Sequence, residues 1–281
     1  MKKKHIWGYI FLAPALVHIL LFRIYPTIYT TILSFYNSQH LGEGSFTLSN
    51  YQQLLSPRFL QVILNTVYYV IGGMVVIVPI SLLIAILINN SKFSGLFRTV
   101  FYYPFTVAMV AVGIIWGFAF RQDGFINQIF NFIGVSSKNW LGGNGRLAMP
   151  ALIFATSWRY WGYFALIYLS GLQSIPEELY EAAKIDGANA WQSFVNITIP
   201  QLKPIFSFVL VMSSVELLRQ FAIPNVMTGG GPFNKTMVLS LDIYRQGFYY
   251  FNVNVASAEA IVLIAFAIIL SIFQYRVTSR S

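Results

Sequence analysis

The chain has no cysteine and only 10% charged residues, nine of them acidic among 281 positions. Without cysteine there is no disulfide framework, no thiol redox chemistry and no thiolate metal site. A soluble domain usually carries about 25% charged residues, so the shortage of charge excludes an ordinary water-facing surface. Histidine is also scarce: His5, His18 and His40 are far apart and lack the spacing of a metal-ligand set. No serine–histidine–acid or zinc-ligand constellation is present, so the chain is not expected to be an enzyme, nor to bind a metal or cofactor itself.

What fills the sequence instead is apolar, at 57% of residues, with 17% aromatic. A helix needs about 20 apolar residues to cross a hydrocarbon core of about 30 Å. Six runs meet that length: residues 7–36, 59–88, 100–120, 149–172, 205–223 and 255–275. The expected fold is therefore an all-α integral membrane protein of about six transmembrane helices. Lys2, Lys3 and Lys4 before an apolar run resemble a signal peptide, with Ala13-Pro14-Ala15 as a loose cleavage site. The run continues to about Tyr36, too far for a signal, and reads as an uncleaved first helix. Pro14, Pro26, Pro79 and Pro104 fall in or beside the runs, where neighbouring groups can satisfy the freed carbonyls.

The formal charge is +9, with basic residues scattered between apolar blocks. That pattern fits topology and anionic lipid rather than nucleic acid. The triple lysine and, at the other end, Arg276 and Arg280 place both termini on the cytoplasmic side. Residues 37–58, 121–148 and 224–254 then face outside, and 89–98 and 173–204 face the cytoplasm. With no long repeat or linker, the expected organisation is a first helix and outer loop over 1–58 and a five-helix core over 59–281.

The cytoplasmic segment 174–204 holds four of the nine acidic residues, Glu177, Glu178, Glu181 and Asp186. Ser174 and Glu177 have capping-box spacing, Pro176 suits a first helical turn, and Gly187 suits a left-handed helix stop. A second short helix is expected over 190–197, closed by Pro200. Acidic helices are poor partners for anionic lipid, so the segment reads as a knob for a protein partner.

Glu181-Ala182-Ala183, Gly187 four residues on, and Ile197-Thr198-Ile199-Pro200 resemble the EAA motif of permease subunits in binding-protein-dependent ABC importers, with Ile199 in place of the usual leucine. Thr228-Gly229-Gly230-Gly231-Pro232, Ile243-Tyr244, Phe248 and Ala256-Ser257-Ala258 are similar to the branch importing oligosaccharides and glycerol phosphate. Asn254, where a glycine often precedes the A-S-A element, and Glu259 depart from that pattern. The resemblance implies a type I importer permease fold whose coupling-helix loop, through Glu177, Glu181, Ala182, Ala183, Asp186 and Gly187, docks on a cytoplasmic ATPase. It further implies a second, non-identical permease, two ATPase copies that bind ATP and Mg, and a solute-binding protein delivering sugar, all at a bacterial or archaeal cytoplasmic membrane. A permease for a non-sugar solute, or a secondary transporter or channel working without an ATPase, are the alternatives.

Two further patterns need weighing. Residues 229–236, GGGPFNKT, come near a phosphate-binding loop, but Asn234 replaces the second glycine of the motif, and a turn at a helix end is the better reading. Intramembrane charges at Arg23, Arg159, Glu216 and Arg219 point to a cavity or an interface. Glu216 and Arg219 have the spacing of an ion pair on one helix face, packed against the second permease or lining a substrate pathway. Trp158, Arg159, Tyr160, Trp161 and Tyr163 cluster densely, either as packing and interface anchors or as stacking surfaces for sugar C–H faces.

Overall fold

The computed structural model describes residues 2–38 and 44–279, without the side chains of 2–10 and 277–279. His40 and Arg280, and the side chains of Lys2, Lys3, Lys4 and His5, thus lie outside the described residues. Among those residues the chain is helical, with one isolated antiparallel bridge between Tyr36 and Phe46. In order the helices are α1 (Lys2–Ile19), α2 (Tyr25–Leu33), α3 (Ser49–Gln53), α4 (Pro57–Asn89), α5 (Ser94–Thr106), α6 (Met109–Ala119), α7 (Phe125–Phe132) and α8 (Ala148–Gln173). They continue with α9 (Glu177–Ile185), α10 (Ala190–Ser193), α11 (Ile199–Gln201), α12 (Lys203–Leu218), α13 (Ala222–Met227), α14 (Leu239–Tyr244) and α15 (Val253–Ser279).

Among the described residues, three segments are long and apolar enough to cross a bilayer as single spans: Phe11–Leu33, Pro57–Asn89 and Val253–Arg276. Counting each of two bent pairs as one span brings the total there to five. The run over 100–120 is thus not one helix. Its halves α5 and α6 meet at 95°, across an extended step at Val107 and Ala108. Likewise the run over 205–223 ends at Leu218, and α12 is bent by 64° from the short helices before it. The remaining run, over 149–172, is α8, whose 26 residues give about 39 Å of helix. It is less apolar than the spans because it carries Ser157, Arg159 and several aromatic hydroxyls. Seventeen of its residues are nevertheless buried, as befits a helix enclosed on most faces.

The chain forms two compact units that interleave in sequence. The first comprises residues 1–60 and 242–265. Here α1 passes into α2 through a π-helical turn over Leu20–Ile24, immediately before Pro26. Proline lacks the amide proton and its ring crowds the carbonyl four residues back, so a widened turn accommodates it. Across the apolar span Phe11–Leu33, only Leu33 is buried within the chain. Asn254, at the start of α15, donates to the carbonyls of Leu33, Tyr36 and Ser38, at 3.1, 2.9 and 2.9 Å. Asn50 binds those of Ser34 and Tyr36, both at 2.9 Å. Between them the two amides bind carbonyls at and just beyond the end of α2, where helical partners run out. The asparagine that departs from the family pattern is therefore a cap.

The second unit comprises residues 61–241 and 266–281, with α8 at its centre. Gly162 lets α5 approach α8 closely: a Cβ there would stand 1.8 Å from the Phe101 carbonyl oxygen. The hydroxyls of Tyr69 and Thr156 share a buried hydrogen bond of 2.6 Å between α4 and α8. The Ser214 hydroxyl donates to Gln274 Oε1 at 3.1 Å, tying α12 to the end of α15.

Candidate functional site

The segment after α8 is the first candidate site. The Ser174 hydroxyl donates back to the Gly171 carbonyl at 2.7 Å, and Pro176 is the residue preceding α9, with no side-chain cap. The expected capping box of Ser174 and Glu177 is thus not formed, because Ser174 closes α8 instead of opening α9. Acidic Glu177 and Glu178 occupy the first turn of α9 and Lys184 the last, in line with the helix dipole. At its end Gly187 takes φ +80°, with its N–H on the Lys184 carbonyl at 3.1 Å and the Ala188 N–H on Ala183 at 2.8 Å. These two bonds are the Schellman arrangement that a glycine at this position serves.

Next, Asn189 and Gln192 form a reciprocal capping box at 2.9 and 2.8 Å, opening α10. The sequence carries its signal as Asn-x-x-Gln, the spacing of a capping box. α10 then runs through a π-helical turn over Phe194–Thr198 into α11. Pro200 does not close the helix as expected; it sits in the first turn of α11, where a missing N–H costs nothing, and the chain bends after Gln201. The hydroxyls of Tyr180 and Thr198, 2.8 Å apart, join the two halves. Glu177, Glu181, Ala182, Asp186 and Gly187 are exposed and Ala183 is half-buried. Beside them Ile185 and Trp191 are 87% and 71% exposed, apolar surface of a kind that a partner would cover.

The second candidate site surrounds α8. Arg159 is 8% exposed. Its Nη2 donates to the Phe105 carbonyl at 2.9 Å and its Nε to that of Val107 at 3.3 Å. The guanidinium also lies 4.7 Å from the Phe105 ring centre and 5.2 Å from that of Tyr160. Arg159 therefore supplies donors to carbonyls that the break between α5 and α6 leaves without helical partners. Tyr160 is 1% exposed and its hydroxyl donates to Glu216 Oε2 on α12 at 3.0 Å. Glu216 does not form the expected ion pair with Arg219, which is exposed; the described salt bridges lie elsewhere. Tyr163 stacks on Phe105 at 4.3 Å, Trp158 meets Trp116 edge-on at 5.5 Å and Trp161 meets Phe154 at 5.7 Å. Thus Arg159, Tyr160, Tyr163 and Glu216 converge, whereas Trp158 and Trp161 belong to a neighbouring ring cluster.

In the run over 228–236 the three glycine amides are all engaged within the chain. The Gly229 N–H bonds Pro224 and Asn225, that of Gly230 meets the Thr228 hydroxyl at 3.3 Å, and that of Gly231 the Thr228 carbonyl at 3.0 Å. The Asn65 side chain donates to the Asn234 and Met237 carbonyls at 2.7 and 3.1 Å. Lys235 reaches the Asn144 carbonyl at 2.5 Å. The run is a folded turn, as its near-miss to the phosphate-loop motif implied.

A core of bent apolar helices with an exposed helical loop is the architecture of a membrane protein. Residues 77–281 match the family of the binding-protein-dependent transport system inner membrane component, and the chain belongs to that family. It is 34% identical to the arabinooligosaccharides transport system permease protein AraP of Bacillus subtilis, over 96% of this chain and 88% of that protein. With the lactose transport system permease protein LacF of Rhizobium radiobacter the identity is 34%, over 95% and 92%. With the trehalose/maltose transport system permease protein MalF of Thermococcus litoralis it is 33%, over 94% and 90%. A bacterial ABC transporter that imports the acidic polysaccharide alginate has a chain of the same fold, with a TM-score of 0.85 and 24% identity over 99% of this chain and 96% of that one. The fold is that of a type I ABC importer permease, an all-α membrane subunit. The reading as a secondary transporter or channel is set aside by this membership.

Proposed function

We propose that this chain is one permease of an ATP-driven importer for a carbohydrate, an oligosaccharide or related sugar, and forms half of the translocation pathway. The observation that carries the coupling part is the loop over 174–204. Its two helices are braced by a glycine stop and a capping box, and they leave Ile185 and Trp191 exposed. Rigid, exposed, apolar-tipped helices fit a groove on a cytoplasmic ATPase, with Glu177, Glu181, Ala182, Ala183, Asp186 and Gly187 in the contact. ATP and Mg belong to two copies of that partner, and this chain binds no cofactor and hydrolyses nothing itself. Relatives named for arabinooligosaccharides, lactose and trehalose/maltose support the sugar class.

The remaining partners are a second, non-identical permease and an extracytoplasmic solute-binding protein. A solved relative of the same fold is in complex with an alginate pentasaccharide-bound periplasmic protein, which favours the latter. The membrane is the bacterial or archaeal cytoplasmic membrane, with both termini cytoplasmic. The family match over 77–281 supports taking residues 59–281 as the permease core. Within it, we assign Trp158, Arg159, Tyr160, Trp161, Tyr163, Glu216 and Arg219 to the substrate pathway, with Arg159 also holding the broken helix.

The test is to tag the chain, extract it gently and identify what accompanies it. A second permease, an ABC ATPase and a sugar-binding protein are expected, with ATP hydrolysis stimulated by the loaded binding protein. Reproducible isolation of the chain alone would overturn the proposal.

A further inference from the structure

Residues 121–140 form an amphipathic element that neither coupling nor the substrate pathway uses. α7 starts where α6 stops. Gly124, which precedes its first turn, is so close to the end of α6 that a Cβ there would stand 2.4 Å from the carbonyl oxygens of both Phe118 and Ala119. At its other end Gly134 takes φ +79° in a Schellman arrangement. There the Gly134 N–H bonds the Asn131 carbonyl at 3.1 Å and the Val135 N–H that of Phe130 at 2.8 Å. The helix is fixed at both ends.

At about 100° per residue, Asn127 and Phe130 mark the face of α7 that meets its own chain. Asn127 is buried, and Phe130 packs on Trp140 with ring centres 5.5 Å apart. On the opposite face Phe125, Ile129, Phe132 and Ile133 follow the i, i+4, i+7, i+8 pattern, and all four are exposed, Phe132 at 91%. The helix itself carries no charge. Charged residues gather at its flanks instead, where Arg121, Asp123 and Lys138 are exposed. The Asn127 side chain ties two of them to the helix, through the Arg121 and Lys138 carbonyls at 3.1 and 2.8 Å.

Four large apolar side chains turned away from the chain's own packing call for an apolar covering. The same exposure continues on α6 at Ile114, Ile115 and Phe118, and α6 is half of a bent pair apolar enough to cross a bilayer. Arg121 and Asp123, paired at 3.5 Å, mark where that crossing meets water, because ionised groups are costly in hydrocarbon. The stripe of α7 thus begins about one turn from the membrane surface, and the lipid that covers α6 extends onto it. We propose that α7 is an interfacial helix lying along the bilayer surface. Phe125, Ile129, Phe132 and Ile133 enter the boundary between headgroups and acyl chains, and Arg121 and Lys138 meet lipid phosphates beside it. Anchored in this way, α7 holds the end of α6 at a set depth. The inference rests on the chain being a membrane protein, and on neither the sugar nor the coupling reading.

The absence of cysteine from the chain lets single cysteines report one position each. Phe125→Cys, Ile129→Cys and Phe132→Cys sample the stripe, and Gln128→Cys and Asn131→Cys the polar side; all five positions are exposed. Each variant carries a nitroxide label in the full complex, reconstituted into vesicles of equal parts phosphatidylethanolamine and phosphatidylglycerol. The unsubstituted complex, labelled alike, gives the contribution of any cysteines in partner chains. Power saturation then reads collisions with oxygen, which concentrates in lipid, and with a water-soluble nickel chelate. The ratio of oxygen to nickel collisions is expected to be several-fold higher at the three stripe positions than at the two polar ones. Equal ratios on both faces would show a helix surrounded by water and overturn the proposal. Few collisions with either reagent along the stripe would show that a protein partner covers it, which overturns the proposal equally. The readout does not depend on which solute is carried, so it stands apart from the fate of the sugar reading.

Discussion

Arg159 binds Phe105 twice: its Nη2 donates to the Phe105 carbonyl at 2.9 Å while its guanidinium carbon lies 4.7 Å from the centre of the same residue's ring. With the further bond to Val107, this fixes the place where α5 gives way to α6. Arg159→Leu would strand two carbonyls beside an apolar side chain, and a loss of about 2–4 kcal/mol is expected from the usual cost of buried unpaired groups. Arg159→Lys should recover only part of it, because an ammonium cannot reproduce a planar fork over a ring. Unfolding temperatures of the two variants in detergent check this. A lysine variant as stable as the original would show that charge alone matters.

The spacing between α5 and α8 rests on Gly162. Replacing glycine by alanine inside a helix normally gains about 1 kcal/mol. Here the added carbon would lie 1.8 Å from the Phe101 oxygen, so the helices must part. Gly162→Ala should therefore destabilise by about 1–3 kcal/mol, as overpacking does. Gly95→Ala in the same helix pair is the control, because nothing lies within 4 Å of its Cβ; it should be neutral or slightly stabilising. Equal unfolding temperatures for the two variants would refute the close approach.

Why the sequence disclosed some of this and not the rest follows from range. The spans of α4 and α15 and the enclosed α8 were legible because apolar length is a local property. Gly187 was legible because a left-handed stop after a helical run has few other uses. The break at Val107 was not, since residues 100–120 are apolar throughout and the group that stabilises the break, Arg159, comes 52 residues later. Asn254 looked like a departure from pattern, yet it caps a helix more than 200 positions earlier. The partner of Glu216 was misjudged for the same reason: spacing pointed to Arg219 on its own helix, whereas Tyr160 on α8 takes it. Segment 174–204 is largely readable because its bonds are local, although Ser174 closes α8 rather than opening α9 and Pro200 sits in the first turn of α11 rather than closing a helix.

The loop between α6 and α8 is organised by one amide. Asn127 is 1% exposed, donates to the carbonyls of Arg121, Gln122 and Lys138, and accepts from the Lys138 N–H and Trp140 Nε1. Asn127→Ala should loosen residues 121–140 with a local loss of about 2–4 kcal/mol. Asn127→Asp should be worse, because it points an acceptor at three carbonyls. Hydrogen exchange over this segment reads both effects. An aspartate variant with unaltered protection would contradict the assignment.

Tyr160 and Glu216 give a way to separate pathway from packing. Removing the hydroxyl in Tyr160→Phe costs about 1 kcal/mol of stability for one hydrogen bond, and assembly should persist. If the pair lines the sugar route, transport into proteoliposomes falls several-fold, and Glu216→Gln, which keeps an acceptor for Tyr160, falls further than Tyr160→Phe. Full transport by both variants would assign the pair to packing alone.

Gly187 offers the sharpest test of coupling, because its two properties are separable. The backbone there is left-handed at φ +80°, and no atom lies within 4 Å of where a side chain would begin. Gly187→Ala meets only the backbone penalty, about 1–2 kcal/mol for an L-residue in that conformation, and the Schellman bonds can still form. Gly187→Asn should cost less again, since asparagine tolerates the left-handed region. Both are expected to retain most transport. Gly187→Trp carries the same strain and adds a bulky ring on the exposed side, next to Ile185 and Asp186, where the ATPase is proposed to sit. It should insert and pair with its partner permease normally, yet lose ATP hydrolysis stimulated by the binding protein. The comparison of alanine with tryptophan thus distinguishes strain from obstruction: equal losses would put the effect in the helix stop, and a loss confined to tryptophan would put it in the docked interface. Undiminished transport by Gly187→Trp would mean that no partner covers this surface.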